Sequence, residues 1–441
     1  MSMMSLKRYI LGVLLFFTPL LSLEKETDLS ILADIATLQK NAVNKYNLSE
    51  LIKASDYNYS LQAKALSALQ AKKNLTIQKW TFLPQLNVDY SFQSYARDTP
   101  QNSHYNTQVA DAKFMWNLFN GFATINGIKE KRATYLASLS DEEYTRQSIY
   151  LQVVQEYYGY FDNVSKLISL QKKLDQIKSD IARVQKLYNQ GLSTIDDLES
   201  LKAQSAQSEY QIEDAKLAVE QNRLMLEYLT NLRVDGLRYQ RVSPPEFALI
   251  DNESINAAQY QIDAQIYQNK QLHYYPTIDL SNTFTYNIQK PAFAMGALGN
   301  IYPSMQNTIG ITVTWKLLDN VGIALQKQSY KVAQLASEKN LYYKKMEQKK
   351  DEELYRKTLE IAKRKIESAK ASLRSANIAY ANIKKKYDAK IVNFTDYLQA
   401  LSTKFDAEST LNQSLDNYEL QKANYIFYSG QKIKDYLKES K

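Results

Sequence analysis

The chain contains no cysteine, only two histidines, and just 11 glycines and 8 prolines in 441 residues. The missing cysteine excludes disulfides, thiolate metal sites, catalytic thiols and the acceptor that an N-terminal lipid anchor needs. His104, between two strand-like segments, and His273, at a helix end, form no metal-ligating or catalytic pair. No P-loop, G-x-G-x-x-G or H-E-x-x-H pattern occurs. The expectation is therefore a protein that is not an enzyme and that has neither cofactor nor metal. Few chain breakers over such a length imply long uninterrupted elements. A mean hydropathy of −0.46 excludes a multi-helix membrane bundle.

The one apolar run stands at the start. Lys7-Arg8, the run Tyr9 to Leu21 and the polar Glu24-Lys25-Glu26 read as a secretory signal over 1–22, with an uncleaved anchor as the alternative. The net charge of +8 is spread along helices and not gathered in one block. It reads as solvated helix surface, with no nucleic-acid partner. Lys384-Lys385-Lys386 reads as part of that surface, with a docking role as the alternative because it stands one turn from a helix break.

What the chain does have is a repeat. Leu83-Pro84-Gln85-Leu86 introduces one alternating segment, and Tyr275-Pro276-Thr277-Ile278 introduces another. Trp116 and Trp315 lie 199 positions apart, as do Tyr188 and Tyr387. A duplication on this scale fixes the architecture before any single residue is interpreted. The first repeat covers 23–230, with a hairpin over 82–118, a long helix over 122–188 and a return helix over 193–230. A linker over 231–253 carries Pro244-Pro245 and leads to the second repeat, 254–430. That copy has a hairpin over 277–318, a long helix over 323–387 and a return helix over 394–428, before a tail over 431–441. Shorter helices over 48–79 and 254–273 precede the hairpins.

At 1.5 Å per residue the long helices would each reach roughly 100 Å, far beyond the three or four turns of a globular helix. Along the first return helix Leu198, Leu201, Ser205, Ser208, Ile212, Ala215, Val219, Asn222, Leu226 and Leu229 step by three and four. That 3.5-residue period imposes a left-handed supercoil. Its small and polar members suit a many-helix cylinder with a wet interior.

The strands alternate between apolar and polar faces, as expected where one face meets lipid and the other water. Tyr90, Phe92, Phe114, Trp116, Phe284, Tyr286 and Trp315 supply lipid-facing aromatic belts. One chain offers four strands, which cannot seal in lipid because unpaired backbone groups there cost several kcal/mol each. Two copies would make eight strands, filled by side chains, and three copies twelve around a wet lumen. The polar faces favour three.

Taken in order, these features resemble the TolC family of outer-membrane efflux proteins over about residues 29 to 430. The resemblance rests on the doubled layout and on the joints Trp116-Asn117-Leu118-Phe119-Asn120-Gly121 and Trp315-Lys316-Leu317-Leu318-Asp319-Asn320. It rests also on two helix breaks, from Tyr188 to Leu198 and from Tyr387 to Leu398. It implies a mainly α fold with membrane β: a homotrimeric, 12-stranded outer-membrane barrel continued by a periplasmic coiled-coil barrel. The implied partners are a periplasmic adaptor, an inner-membrane pump and outer-membrane lipid. By the same resemblance the adaptor docks at Gln190, Gly191 and Leu192 and at Ala389, Lys390 and Ile391, where Lys390 replaces the glycine usual in the family. The periplasmic gate carries over as Tyr387 with the acidic Asp197, and Asp396 as a constricting carboxylate ring. Gln399 replaces the second ring residue and Val392 the gating arginine, which implies a weaker cation trap and one fewer salt link. Gly191 also reads as a plain helix C-cap, and Asp197 and Asp396 as charges complementing helix N-termini. A secreted helical pore-forming toxin or a structural coiled-coil protein is the alternative.

Overall fold

A computed structural model describes residues 33–40, 42–96, 104–289, 303–317 and 319–437. The signal expected over 1–22 lies outside the described residues. In chain order the elements are β1 (Lys45–Tyr46), α1 (Leu48–Ser55), α2 (Tyr59–Trp80), β2 (Gln85–Ala96), β3 (His104–Phe119), α3 (Ala123–Asn189) and α4 (Ile195–Thr230). Then come β4 (Gly236–Leu237), α5 (Glu253–Gln271), β5 (Thr277–Gln289), β6 (Met305–Thr314), α6 (Asn320–Asp388) and α7 (Phe394–Tyr428), with a final 3-10 turn over Ile433–Tyr436. The helix expected over 48–79 is two helices. At the break, Asn58 accepts from the Ser60 N–H at 2.9 Å and donates to the Leu229 carbonyl at 3.0 Å, side-chain bonds that compete with helix continuation.

The chain forms two compact units that do not coincide with the two sequence repeats, since each unit takes segments from both. The strand unit holds Ala63–Glu143 and Glu253–Met346. Its sheet has the order β2-β3-β5-β6 with antiparallel neighbours throughout. Register aligns the alternation of all four strands: Val88 faces Ala112, Ala112 faces Phe284, Leu280 faces Ile311 and Ile278 faces Val313. In the same unit, Ile255 and Ile262 of α5 bury against Leu341 of α6.

The helical unit holds the segments up to Gln62, Tyr144–Asn252 and from Glu347 onward. Its core gathers Leu48, Leu51, Ile52, Tyr157, Phe161, Leu226, Val242, Ile426 and Ile433 around the linker. Tyr158 donates to the Gln240 carbonyl at 2.7 Å, and Tyr157 to the Arg238 carbonyl. Glu419 accepts from the Val242 N–H at 2.8 Å, and Lys422 donates to the Val242 carbonyl at 2.5 Å. The two side chains pair with each other at 2.7 Å. This buried pair grips both backbone groups of one linker residue, so neither charge is left unpaired.

Within the same unit the helices lie side by side in the order α4, α3, α7, α6. Lys178 of α3 pairs with Glu209 of α4 at 3.0 Å, and Asn163 donates to Asn222 at 2.7 Å. Lys173 of α3 donates to Ser402 of α7 at 3.1 Å. Tyr355 of α6 stacks on Tyr428 of α7 at 4.2 Å, and Tyr425 donates to Glu352 at 3.0 Å.

Candidate functional site

The two helix breaks are built alike. After α3, the Gly191 N–H donates to the Tyr188 carbonyl at 2.9 Å and the Leu192 N–H to that of Leu187 at 2.8 Å. After α6, the Lys390 N–H donates to the Tyr387 carbonyl at 2.9 Å and the Ile391 N–H to that of Lys386 at 2.8 Å. Gly191 and Lys390 both lie in the left-handed region, at φ of +71° and +59°. These are Schellman closures of the helix C-terminus. Each returning helix is then capped by a side chain: Thr194 accepts from the Asp197 N–H at 3.2 Å, and Asn393 from the Asp396 N–H at 2.8 Å. Asp197 and Asp396 thus hold equivalent first-turn positions, where carboxylates favour the helix dipole. Leu192 and Ile391, just past the closures, are 54% and 73% exposed. Gln190 and Ala389 hold the turns through N–H bonds to Leu187 and Lys385.

Tyr387 stands close to the breaks, beneath the Arg183 guanidinium at 5.1 Å and stacked on Tyr397 at 4.9 Å. Burial pushes its phenol pKa up; the Arg183 charge opposes this and the Asp197 and Asp180 carboxylates reinforce it. Asp197 accepts from the Ser193 hydroxyl at 3.1 Å. A direct Tyr387–Asp197 bond is not among the hydrogen bonds of the described residues.

A cluster that the sequence reading missed ties the two helical hairpins together. Tyr397 of α7 donates to the buried Asp180 of α3 at 2.6 Å. Arg183 of α3 bonds Asp388 of α6 at 2.5 Å and Asp180 at 3.3 Å. Gln176 donates to Asp180 at 3.1 Å. Burial, reinforced by the Asp180 bond, holds the Tyr397 phenol far above its ordinary pKa, so it stays a donor. Burial opposes the Arg183 charge, but the Asp388 bond and the Asp180 charge outweigh it. The cluster has no counterpart in the repeat, since Ala379 and Asn382 stand 199 positions beyond Asp180 and Arg183. A repeat-based reading therefore could not flag it.

In the strand unit, register brings the seven aromatic residues to one face. Tyr90 and Tyr286 both pair with Ala110, Phe284 pairs with Ala112, Phe114 with Leu86, Trp116 with Leu280 and Phe92 with Gln108. Trp315 follows β6 two residues beyond Val313 of the same face. All but the half-buried Phe114 are exposed, in company with Val88, Ile309, Ile311 and Val313. The indole N–H of Trp116 donates to the Phe82 carbonyl at 3.2 Å, and that of Trp315 to the Tyr274 carbonyl at 3.0 Å. Both acceptors lie two residues before the repeated prolines, so the two tryptophans close equivalent helix-to-strand joints. The opposite face is polar. Lys113 pairs with Asp89 at 3.3 Å, Asn117 donates to Asp279 at 2.7 Å and Thr285 to Asp111 at 2.6 Å.

Among the described residues no group of acidic or histidine side chains is arranged to hold a metal ion. No described helix is long and apolar enough to cross a membrane.

Two long helical hairpins and a sheet with one apolar and one polar face form a fold shared with solved outer-membrane channels. Residues 52–232 match the outer membrane efflux protein family. The chain is similar in structure to CusC (TM-score 0.78, 15% identity, covering 87% of this chain and 92% of that one). It is similar to the CmeC outer membrane channel of Campylobacter jejuni (TM-score 0.78, 17% identity, 89% and 87%). It is similar also to the open state of the MtrE outer membrane channel of Neisseria gonorrhoeae (TM-score 0.71, 14% identity, 88% and 89%). No curated protein sequence matches the chain. The family match is confined to residues 52–232, and the fold shared with these solved channels extends across most of the chain.

Proposed function

We propose that three copies of this chain close a twelve-stranded barrel in the outer membrane and form the exit duct of an efflux or secretion assembly. An inner-membrane pump supplies the energy, and a periplasmic adaptor docks at the paired breaks. The observation that carries this reading is the four-stranded sheet. Its apolar face is exposed in register, and among the described residues β2 and β6 are each paired on one side only. Lipid does not tolerate such open edges, and copies of the same sheet satisfy them. Three copies leave a lumen lined by the polar faces, with Asp89, Asp111, Lys113 and Asp279 on it. Leu192 and Ile391 then offer matching apolar contacts to the adaptor, and Tyr387, Asp197 and Asp396 shape the gate.

The test is to extract the protein from outer membranes in mild detergent, determine its mass and measure single-channel conductance in planar bilayers. A conducting trimer is expected, and Tyr387→Phe and Asp197→Ala should open more often than wild type. A detergent-free soluble monomer without conductance would overturn the reading. The toxin alternative is not favoured by the family match.

A further inference from the structure

The net charge, expected to be spread along helices and not gathered in one block, alternates in sign from each helix of the helical unit to the next. On the outer edge α4 carries 8 acidic and 3 basic residues. Beside it, residues 144–189 of α3 carry 7 basic and 4 acidic. Next, α7 carries 5 acidic and 2 basic. On the opposite edge, residues 347–388 of α6 carry 12 basic and 7 acidic. The sequence of net charges across the four helices is therefore −5, +3, −3, +5, and the two outermost helices carry the largest and opposite values.

Those two edges also expose apolar positions that no described residue of the unit covers. On α4 these are Tyr210, Leu217, Leu224 and Tyr228, spaced by seven, seven and four and each at least 51% exposed. On α6 they are Leu354, Ile361 and Ile378, with the exposed Ser368, Ala371 and Ser375 continuing the same heptad register. The α4 seam begins 15 residues after its helix starts, and the α6 seam ends 10 residues before its helix stops, so the two run at overlapping distances from their breaks.

We propose that copies of this chain recognise one another through these edges, the acidic α4 of one docking antiparallel on the basic α6 of the next. This rests on the shared-barrel reading and says what selects the partner and its orientation. An apolar seam flanked by opposite charges is how coiled coils choose register and partner. The contact is heterologous, so it propagates around a ring and closes it. It also preserves the alternation of charge, because the basic edge of one copy meets the acidic edge of the next. An α4 edge facing another α4, or an α6 edge facing another α6, brings like charges together, which excludes two-fold pairings. Association driven in this way is steered at low salt and slows as salt screens the edges.

The test is assembly of the full chain, refolded into detergent micelles and followed by native mass spectrometry at about 50 mM and about 1 M salt, where screening lengths differ several-fold. Wild type should form trimers at least about tenfold faster at the lower salt. A reversed α6 edge, Lys357→Glu with Arg364→Glu and Arg374→Glu, should lose that advantage. Adding Glu213→Lys and Glu220→Lys on α4 should restore it, which a folding defect in the first variant would not allow. Wild-type trimers that form at one rate at both salts, or a reversed edge that assembles like wild type, would overturn the charge recognition and leave the shared barrel standing. A wild type that stays monomeric at both salts would overturn the shared barrel itself.

Discussion

Gly430 and Lys390 both lie at positive φ, +80° and +59°, and substitution at the two positions is expected to have opposite signs. A Cβ on Gly430 would stand 2.0 Å from the Ile250 carbonyl oxygen, in a turn where the Ile250 N–H donates to Ser429 at 2.9 Å. The obstacle is backbone, so it cannot rotate away. Gly430→Ala adds this clash to the cost of a left-handed alanine and should destabilise the helical unit by more than about 2 kcal/mol. Faster amide exchange of Ile250 is the readout. Lys390 already bears the left-handed cost, and its exposed side chain blocks nothing. Lys390→Gly should therefore stabilise the second break by about 1 kcal/mol. The Ile391 amide, bonded to Lys386 at 2.8 Å, should exchange about fivefold more slowly. An unchanged rate there would mean that the turn is held by something other than its own backbone.

At the scale of elements, the cluster of Asp180, Arg183, Asp388 and Tyr397 joins α3 to both helices of the second hairpin. Each bond to a charged group is worth about 1.5–3 kcal/mol where buried, and less at Asp388, which is about half exposed. Separating the hairpins must break these bonds. Asp180→Asn and Arg183→Ala should raise the open probability of single channels about tenfold, the effect of losing one such bond. Lys178→Ala, which loosens only α3 against α4, should leave it unchanged. Equal behaviour of all three variants would remove the cluster from gating. Sequence alone reached the helices themselves, because heptad steps and scarce glycine speak through local chemistry. It also reached the matching breaks, because Tyr188 and Tyr387 recur at the repeat offset. The Asp180 cluster stayed hidden because it depends on which helix lies beside which, and the repeat does not encode it. Lys390 hid the left-handed conformation of the second turn for a different reason: lysine does not advertise it, whereas glycine does.

For the whole molecule, the two faces of the sheet set the membrane reading, and neighbouring residues can separate them. Phe284 pairs with Ala112 on the apolar face, while Thr283 pairs with Lys113 and Thr308 on the polar face. One carboxylate moved by a single position therefore changes its solvent from lipid to lumen. Phe284→Glu faces hydrocarbon and loses a large apolar side chain, an expected penalty of order 2 kcal/mol per copy, which triples in a three-copy barrel. It should block insertion into lipid vesicles and leave the helical unit folded by circular dichroism. Thr283→Glu faces water beside the cationic Lys113, so it should insert normally and shift the reversal potential of the channel toward cations. Vesicle flotation and a salt-gradient measurement in planar bilayers read the two outcomes. If Phe284→Glu floated with vesicles as wild type does, the apolar face would not be the one that meets lipid, and the polar face could no longer be assigned to the lumen.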